Sequence, residues 1–340
     1  GQDIPAEAHF VPPQGGLGPA VAAERMAYSD RIPLVKAFAR LNRLDRATIE
    51  APERVLGIVT AGKAHQDVLR ALQLLGIDED KAKQLGISVY KVAMTWPLED
   101  ESFTEFAEGH KELLVIEEKL PIMEQQITQL LFNRTGKRRP RVIGKMDSRG
   151  KQLQNTHGSI DPNYLMTVIG SRLQANKLLD DTISAAIESN QERLKGSCGA
   201  VIAEVVRMPY FCSGCPHNRS TKVPEGSKAL GGIGCHGMAS FMDRDTTFPT
   251  QMGGEGHNWV GMSHFVESPH RFQNLGDGTY THSGLHAVHA AVSQGANITY
   301  KILYNDAVAM TGGLVVEGQL TPEQISKQVV AMGSKRVVVT

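Results

Sequence analysis

Phe272-Gln273-Asn274-Leu275-Gly276-Asp277-Gly278 carries a strand into a glycine-aspartate-glycine turn. Ile298 to Tyr304 is the next strand-forming run, and it ends on Asn305. Leu285, Val288 and Val292 recur between them at helical spacing, so the segment reads strand, helix, strand. Such a unit sets its two strands parallel, and open parallel sheets take ligands outside the carboxyl ends of their strands. Asp277 and Asn305 end two successive strands, with 26 residues, 279 to 304, between the glycine motif and Asn305. A carboxylate, an amide oxygen and a backbone carbonyl suit magnesium, which completes its octahedron with phosphate and water. Gly276 and Gly278 let the backbone come close to phosphate, and the helix N-terminus beyond them favours anionic charge. A bare glycine-aspartate-glycine is more often only a turn. Its register with Asn305 on the next strand makes it a candidate site.

Downstream, Thr321-Pro322-Glu323-Gln324 offers an N-cap, a proline at the first helical position and a glutamine three residues after the cap. Ile325, Val329 and Met332 then fall on one face, and Arg336 to Val339 reads as a further strand. Because that strand stops at Thr340, the domain is expected to be truncated at its C-terminus, a piece of a longer polypeptide. Upstream, Val55 to Thr60 is a compact apolar run, and Val68, Ala71, Leu72 and Leu75 follow at helical spacing before Gly76. Ile87 to Val92 alternates, Leu113 to Ile116 is a short run, Ile127, Leu130 and Leu131 share a helical face, and Arg141 to Ile143 closes the series. The expected fold class is α/β, with two open, mostly parallel sheets flanked by helices. Residues 1–50 are expected to connect to something upstream, 51–145 to form the first domain, 146–198 a helical linker, and 199–340 the second domain.

The 340 residues are 41% apolar, enough for two ordinary cores, and 36 basic side chains balance 36 acidic ones. Nothing in that balance calls for nucleic acid or a membrane surface. With no apolar run of membrane-spanning length and no signal-peptide order at the N-terminus, a soluble, cytoplasmic protein is expected. Four cysteines are too few for a secreted disulfide scaffold, and two of them form a CxxC, which in the cytosol points to metal or redox chemistry.

That CxxC lies in Phe211-Cys212-Ser213-Gly214-Cys215-Pro216-His217-Asn218; Gly232-Ile233-Gly234-Cys235-His236 and Gly253-Gly254-Glu255-Gly256-His257-Asn258 follow. Thiolates at this spacing grip an iron-sulfur cluster or zinc across a tight turn. Glycine-aspartate-glycine followed after about two dozen residues by asparagine resembles the thiamine diphosphate signature. With YFCSGCPHN, VPEGSKAL, GIGCHGMA, QMGGEG, FQNLGDGTYTHSGL and ITYKILYNDAVAMTGG, the chain from about Pro33 onward resembles the thiamine diphosphate-binding portion of indolepyruvate ferredoxin oxidoreductase, in its long fused bacterial form.

The resemblance implies that 51–145 is a transketolase-C-terminal-like domain and 199–340 a thiamine diphosphate-binding domain. It implies that Asp277, Asn305 and the carbonyl of Ala307 hold magnesium, with Gly276 and Gly278 beside the diphosphate. Cys212, Cys215 and Cys235 match three of four cysteines that hold a [4Fe-4S] cluster in related enzymes. The fourth falls to Cys198 or to a residue downstream, or this branch carries no cluster here. Leu314 stands after Gly312-Gly313, where the family has glutamine. Of His217, His236, His257 and His282, His217 and His282 are the candidates for diphosphate donors or proton carriers.

The implied reaction is oxidative decarboxylation of an aryl 2-oxoacid such as indolepyruvate. Coenzyme A takes the acyl group, and ferredoxin takes the electrons through iron-sulfur clusters. A pyrimidine-binding domain from elsewhere must complete the site, so the fragment is expected to be inactive alone, and a homodimer is expected. Two alternatives stay open: a non-oxidative thiamine diphosphate-dependent decarboxylase, which has no need of the CxxC, and a non-catalytic zinc-binding assembly module using Cys212, Cys215, Cys235 and His236.

Overall fold

Five strands build the first sheet: β1 (Arg46–Ile49), β2 (Leu56–Ala61), β3 (Ile87–Val92), β4 (Glu112–Ile116) and β5 (Arg141–Ile143), in the order β1-β3-β2-β4-β5. All neighbours are parallel except β1, which runs antiparallel to β3 along one edge. The computed structural model describes residues 17–136, 139–198 and 207–340, and the chain divides into two units, 1–200 and 201–340. In the first unit, helices α1 (Leu17–Arg25) and α2 (Ile32–Leu41) precede the sheet. Helices α3 (Gly62–Leu74), α4 (Glu79–Leu85), α5 (Asp100–Ala107) and α6 (Ile122–Leu131) connect its strands, and α7 (Pro162–Ala175) and α8 (Asp181–Cys198) follow.

The strands β2 and β4 are apolar on both faces because both faces are covered. Ile58, Leu114 and Ile116 face Val68, Ala71 and Leu72 of α3, together with Leu165, Ile169 and Leu173 of α7. On the other face Val59, Leu113 and Val115 meet Phe103 and Phe106 of α5 and Met123 and Ile127 of α6. The sequence reading treats 146–198 as a linker; the structure packs α7 into the first core. It is also pinned there electrostatically, since Arg172 Nε and Nη2 each donate to a different oxygen of Glu112 at 2.8 Å, both side chains being buried. Likewise Arg46–Ile49, read as part of a connector, is an edge strand of this sheet. Four residues of mixed polarity give no period to read.

The second unit holds a four-stranded, all-parallel sheet: β6 (Ala229–Leu230), β7 (Thr246–Thr247), β8 (Arg271–Gly276) and β9 (Ile298–Leu303), in the order β7-β6-β8-β9. Its helices are α9 (His217–Ser220), α10 (His257–Met262), α11 (Asp277–Thr279), α12 (Leu285–Ser293) and α13 (Pro322–Ala331), with a wide π-type turn, Tyr280–Gly284, between α11 and α12. Leu275, Tyr280 and Val288 pack with Ile325 and Val329 of α13, whose capping box forms as the sequence predicts. The run Arg336–Val339 is a correction. It pairs with no strand among the described residues; Val337 packs partly against the core while Val338 and Val339 face outward. Among the described residues no helix is long and apolar enough to cross a membrane.

Candidate functional site

The carboxyl ends of the two sheets differ. In the first unit the segment after β5 folds over them: Gln154 Nε2 donates to Val115 O and Gly144 O at 2.7 and 2.8 Å, Lys145 Nζ donates to Glu117 O, and Lys63 Nζ to Ile160 O. In the second unit the chain leaves β6 towards β7 and leaves β8 towards β9 on the opposite side. The space between the ends of β6 and β8 is therefore a topological switch point, the place where open α/β sheets receive ligands. Gly231 to His236 form one wall and Gly276 to Gly278 the other.

The walls are cut close. A Cβ on Gly232 would lie 2.2 Å from Asn274 O and 2.7 Å from His236 Nε2, and one on Gly276 would lie 3.3 Å from His236 Cε1. The imidazole of His236 fills the gap that these glycines leave. It is buried, its Nε2 has no partner, and burial, then the neighbouring His217, pushes its pKa down to about 4, so the ring is neutral. His217 meets it edge to face with 5.9 Å between ring centres, and Phe211 meets His217 at 5.6 Å.

Asp277 is buried at the start of the helical run that follows β8. Its Oδ2 accepts from the backbone N–H of Asn305 at 3.2 Å and of Asp306 at 2.9 Å, and from Gln319 Nε2 at 3.1 Å. In-register pairing of Gly276 with Leu303 brings the two strand ends side by side, so the sequence-predicted neighbours do meet. Asn305 Oδ1 accepts from Ala307 N at 3.3 Å, and Asn305 itself is exposed. Asp306 turns the chain with φ +60, a conformation that aspartate tolerates better than most residues. Gly278 lies under Val308 and Val316 of the following loop, at 3.8 and 3.5 Å from the place a Cβ would take.

These donors are all oxygens, held close to a glycine-walled crevice, and one carboxylate oxygen is already saturated by N–H groups. The set fits a hard divalent cation beside a phosphate-bearing ligand. The three predicted cluster cysteines fare differently. Cys212 and Cys215 form a tight turn, with Cys215 N donating to Cys212 O at 3.0 Å and Asn218 Nδ2 donating to both carbonyls at 3.2 Å. Cys235 opens the segment after β6, and it is the imidazoles of His217 and His236 that meet across this region. Among the described residues no three His, Cys, Asp or Glu side chains gather as a metal-binding group, and the side chain of Cys198 lies outside the described residues. Among the described residues these side chains do not close a cluster site by themselves.

His282 lies exposed on the π-type turn, its Nδ1 2.7 Å from Ser283 Oγ. Two residues with no sequence-stated role stand out. Glu255 is fully buried; its Oε2 accepts from Gly253 N at 2.6 Å, its Oε1 has no partner, and burial raises its pKa. Gln319 reaches Asp277 from 42 positions away, and spacing gives no sign of it.

Fold and crevice define a two-unit α/β protein whose second unit carries a glycine-walled crevice at the switch point of its parallel sheet. Residues 46–196 match the family described as the indolepyruvate oxidoreductase domain. The chain is 26% identical over 297 residues to indolepyruvate oxidoreductase subunit IorA of Methanothermobacter marburgensis, covering 84% of this chain and 43% of that one. It is 24% identical over 318 residues to the subunit of the same name from Thermococcus kodakarensis, covering 86% and 45%. The chain is similar to indolepyruvate oxidoreductase subunits and spans less than half the length of these relatives. Among solved structures, 2-oxoglutarate:ferredoxin oxidoreductase from Magnetococcus marinus aligns with TM-score 0.31 at 16% identity, over 48% of this chain and 24% of that one. A split-gene transketolase aligns with TM-score 0.25 at 17% identity, over 43% and 42%.

Proposed function

We propose that the second unit binds thiamine diphosphate and magnesium, and that the chain is part of an oxidoreductase that oxidatively decarboxylates aryl 2-oxoacids such as indolepyruvate. The observation that carries the reading is the buried carboxylate of Asp277 at the end of β8, bonded through one oxygen to the turn that ends β9. Asp277, Asn305 and the carbonyl of Ala307 would hold the magnesium. Gly276 and Gly278 would admit the diphosphate, and the helical run from Asp277 to Ser293 would present its positive end to it. Thiamine diphosphate, when bound, supplies the carbanion that attacks the keto carbon and the ring that receives the electron pair as carbon dioxide leaves.

The chain's own residues bind, orient and exclude water. His236, uncharged and packed against Gly276, keeps the crevice wall dry without adding a competing charge. His217, also lowered in pKa by burial, backs it. His282, exposed on the π-type turn that follows Asp277, is the proton carrier of this reading. Coenzyme A as acyl acceptor, ferredoxin as electron acceptor, a pyrimidine-binding domain and a homodimer belong to the proposal for the whole enzyme. Calorimetric titration of thiamine diphosphate into the chain, with magnesium and with a chelator, tests it. Binding that needs magnesium supports the reading, and magnesium-independent binding or none removes it.

A further inference from the structure

The loop from Asn305 to Gln319 is held at both feet by one atom. Asp277 Oδ2 accepts from Asn305 N and Asp306 N where the loop begins and from Gln319 Nε2 where it ends. A carboxylate oxygen has room for about two good acceptor directions, so three N–H donors fill it and leave Oδ1 as the oxygen for a metal. Two of the donors are main chain and come with the fold. The third is a side chain, and its other amide atom, Gln319 Oε1, is buried with no donor. A buried carbonyl oxygen without a partner is costly, and a hydrated cation beside Asp277 would carry the water that relieves it.

We infer that Gln319 is a positioning residue for magnesium, acting through Asp277: its amide N–H fixes the carboxylate so that Oδ1 is presented to the cation. The inference rests on the magnesium and thiamine diphosphate reading above. A merely structural role, closing the loop onto β8, makes a different prediction, because it would alter stability and leave magnesium affinity alone.

The test is a magnesium titration of the full chain at saturating thiamine diphosphate, compared among wild type, Gln319→Leu and Gln319→Glu, with melting of each unliganded protein. Loss of an outer partner of a metal ligand typically weakens the metal about 10- to 100-fold. Gln319→Leu is therefore expected to raise the half-saturating magnesium concentration at least about 10-fold, with diphosphate affinity at saturating magnesium and the melting temperature kept. Gln319→Glu, which sets a second carboxylate against Asp277 Oδ2, is expected to lose magnesium affinity as well. Unchanged magnesium midpoints in both variants, or a fall in melting temperature that accounts for the loss, would overturn the inference and leave the cofactor reading standing. Absence of magnesium-dependent binding in the wild type would overturn both.

Discussion

Asp277 Oδ2 accepts the backbone N–H of Asp306 at 2.9 Å, so the residue that ends β8 fixes the turn that ends β9. A charge-assisted bond of this kind contributes on the order of 1.5–3 kcal/mol. Asp277→Asn keeps an acceptor of the same size but removes the charge. Magnesium-dependent thiamine diphosphate binding is expected to fall by more than about 100-fold, following the loss of roughly 3 kcal/mol of ion–carboxylate attraction. Asp277→Ala should also loosen the 305–319 loop. Amide exchange at Asn305 and Asp306, whose N–H groups the carboxylate accepts, would rise in that variant and stay slow in Asp277→Asn.

Gly232 is where the crevice is least forgiving. An added Cβ would meet a main-chain oxygen, Asn274 O, at 2.2 Å, and the strand that carries it is paired on both sides. Of the atoms nearest to it, those of the His236 side chain are the ones free to yield, and yielding pulls the ring off Gly276. Gly232→Ala is expected to cost about 1–3 kcal/mol by overpacking and to weaken diphosphate binding. Gly261→Ala, with open space around its Cβ, is the control. Equal stability of the two variants in urea would show that the wall has more slack than its distances indicate.

What could be read from the sequence was whatever repeats along it. β2, β3, β4, β8 and β9 show as apolar or alternating runs, and α3 and α13 show as faces of a helix, because burial imposes a period on local sequence. Ala229–Leu230 and Thr246–Thr247 are two residues each, too short to carry a period, so half of the second sheet was invisible. The membership of α7 in the first core depends on Arg172 meeting Glu112, 60 positions earlier. Asp277 and Asn305 are paired in the sequence because a chemical argument joins the ends of neighbouring strands, and the structure sets them within hydrogen-bond reach. The contact of Gln319 with Asp277 has no such sign in the sequence, since it follows from how a loop returns. Glu255 sat in plain view among glycines, but only burial distinguishes it from an ordinary surface carboxylate.

Glu255 has no room for a charge that nothing answers. Burial raises its pKa above the usual carboxylate value of 4.5, while the N–H of Gly253 offsets this in part. The folded state then holds its proton to a higher pH than the unfolded chain does. Stability from this group is present below the unfolded pKa and is lost as pH rises through the folded one. Glu255→Gln, which can keep the bond from Gly253 N, should therefore gain on wild type as pH rises above about 4.5 and level off once the wild-type carboxyl is ionised. Trp259, buried in this unit with Nε1 donating to Asn297 O at 3.0 Å, reports the unfolding by fluorescence. A stability difference independent of pH would mean that Glu255 is ionised throughout.

His110 in the first unit gives the opposite sign. Its Nδ1–H donates to Phe106 O at 2.9 Å, its ring lies 4.8 Å from that of Phe106, and its Nε2 is buried with no partner. A proton there would be a buried donor with nothing to receive it, and burial accordingly pushes the pKa from 6.5 down to about 4. Between those values the unfolded chain takes up a proton that the folded chain refuses, so stability is complete above about 6.5 and is lost as pH falls towards 4. At 1.36 kcal/mol per pH unit the loss from this one group is roughly 3 kcal/mol. His110→Gln cannot titrate and keeps an amide donor for Phe106 O. Its urea midpoint, followed in a Trp259→Phe background so that Trp96 reports the first unit, should hold between pH 6.5 and pH 4 relative to the histidine protein. Parallel decline of the two proteins across that window would show that His110 is protonated in the fold and that another group sets the acid sensitivity.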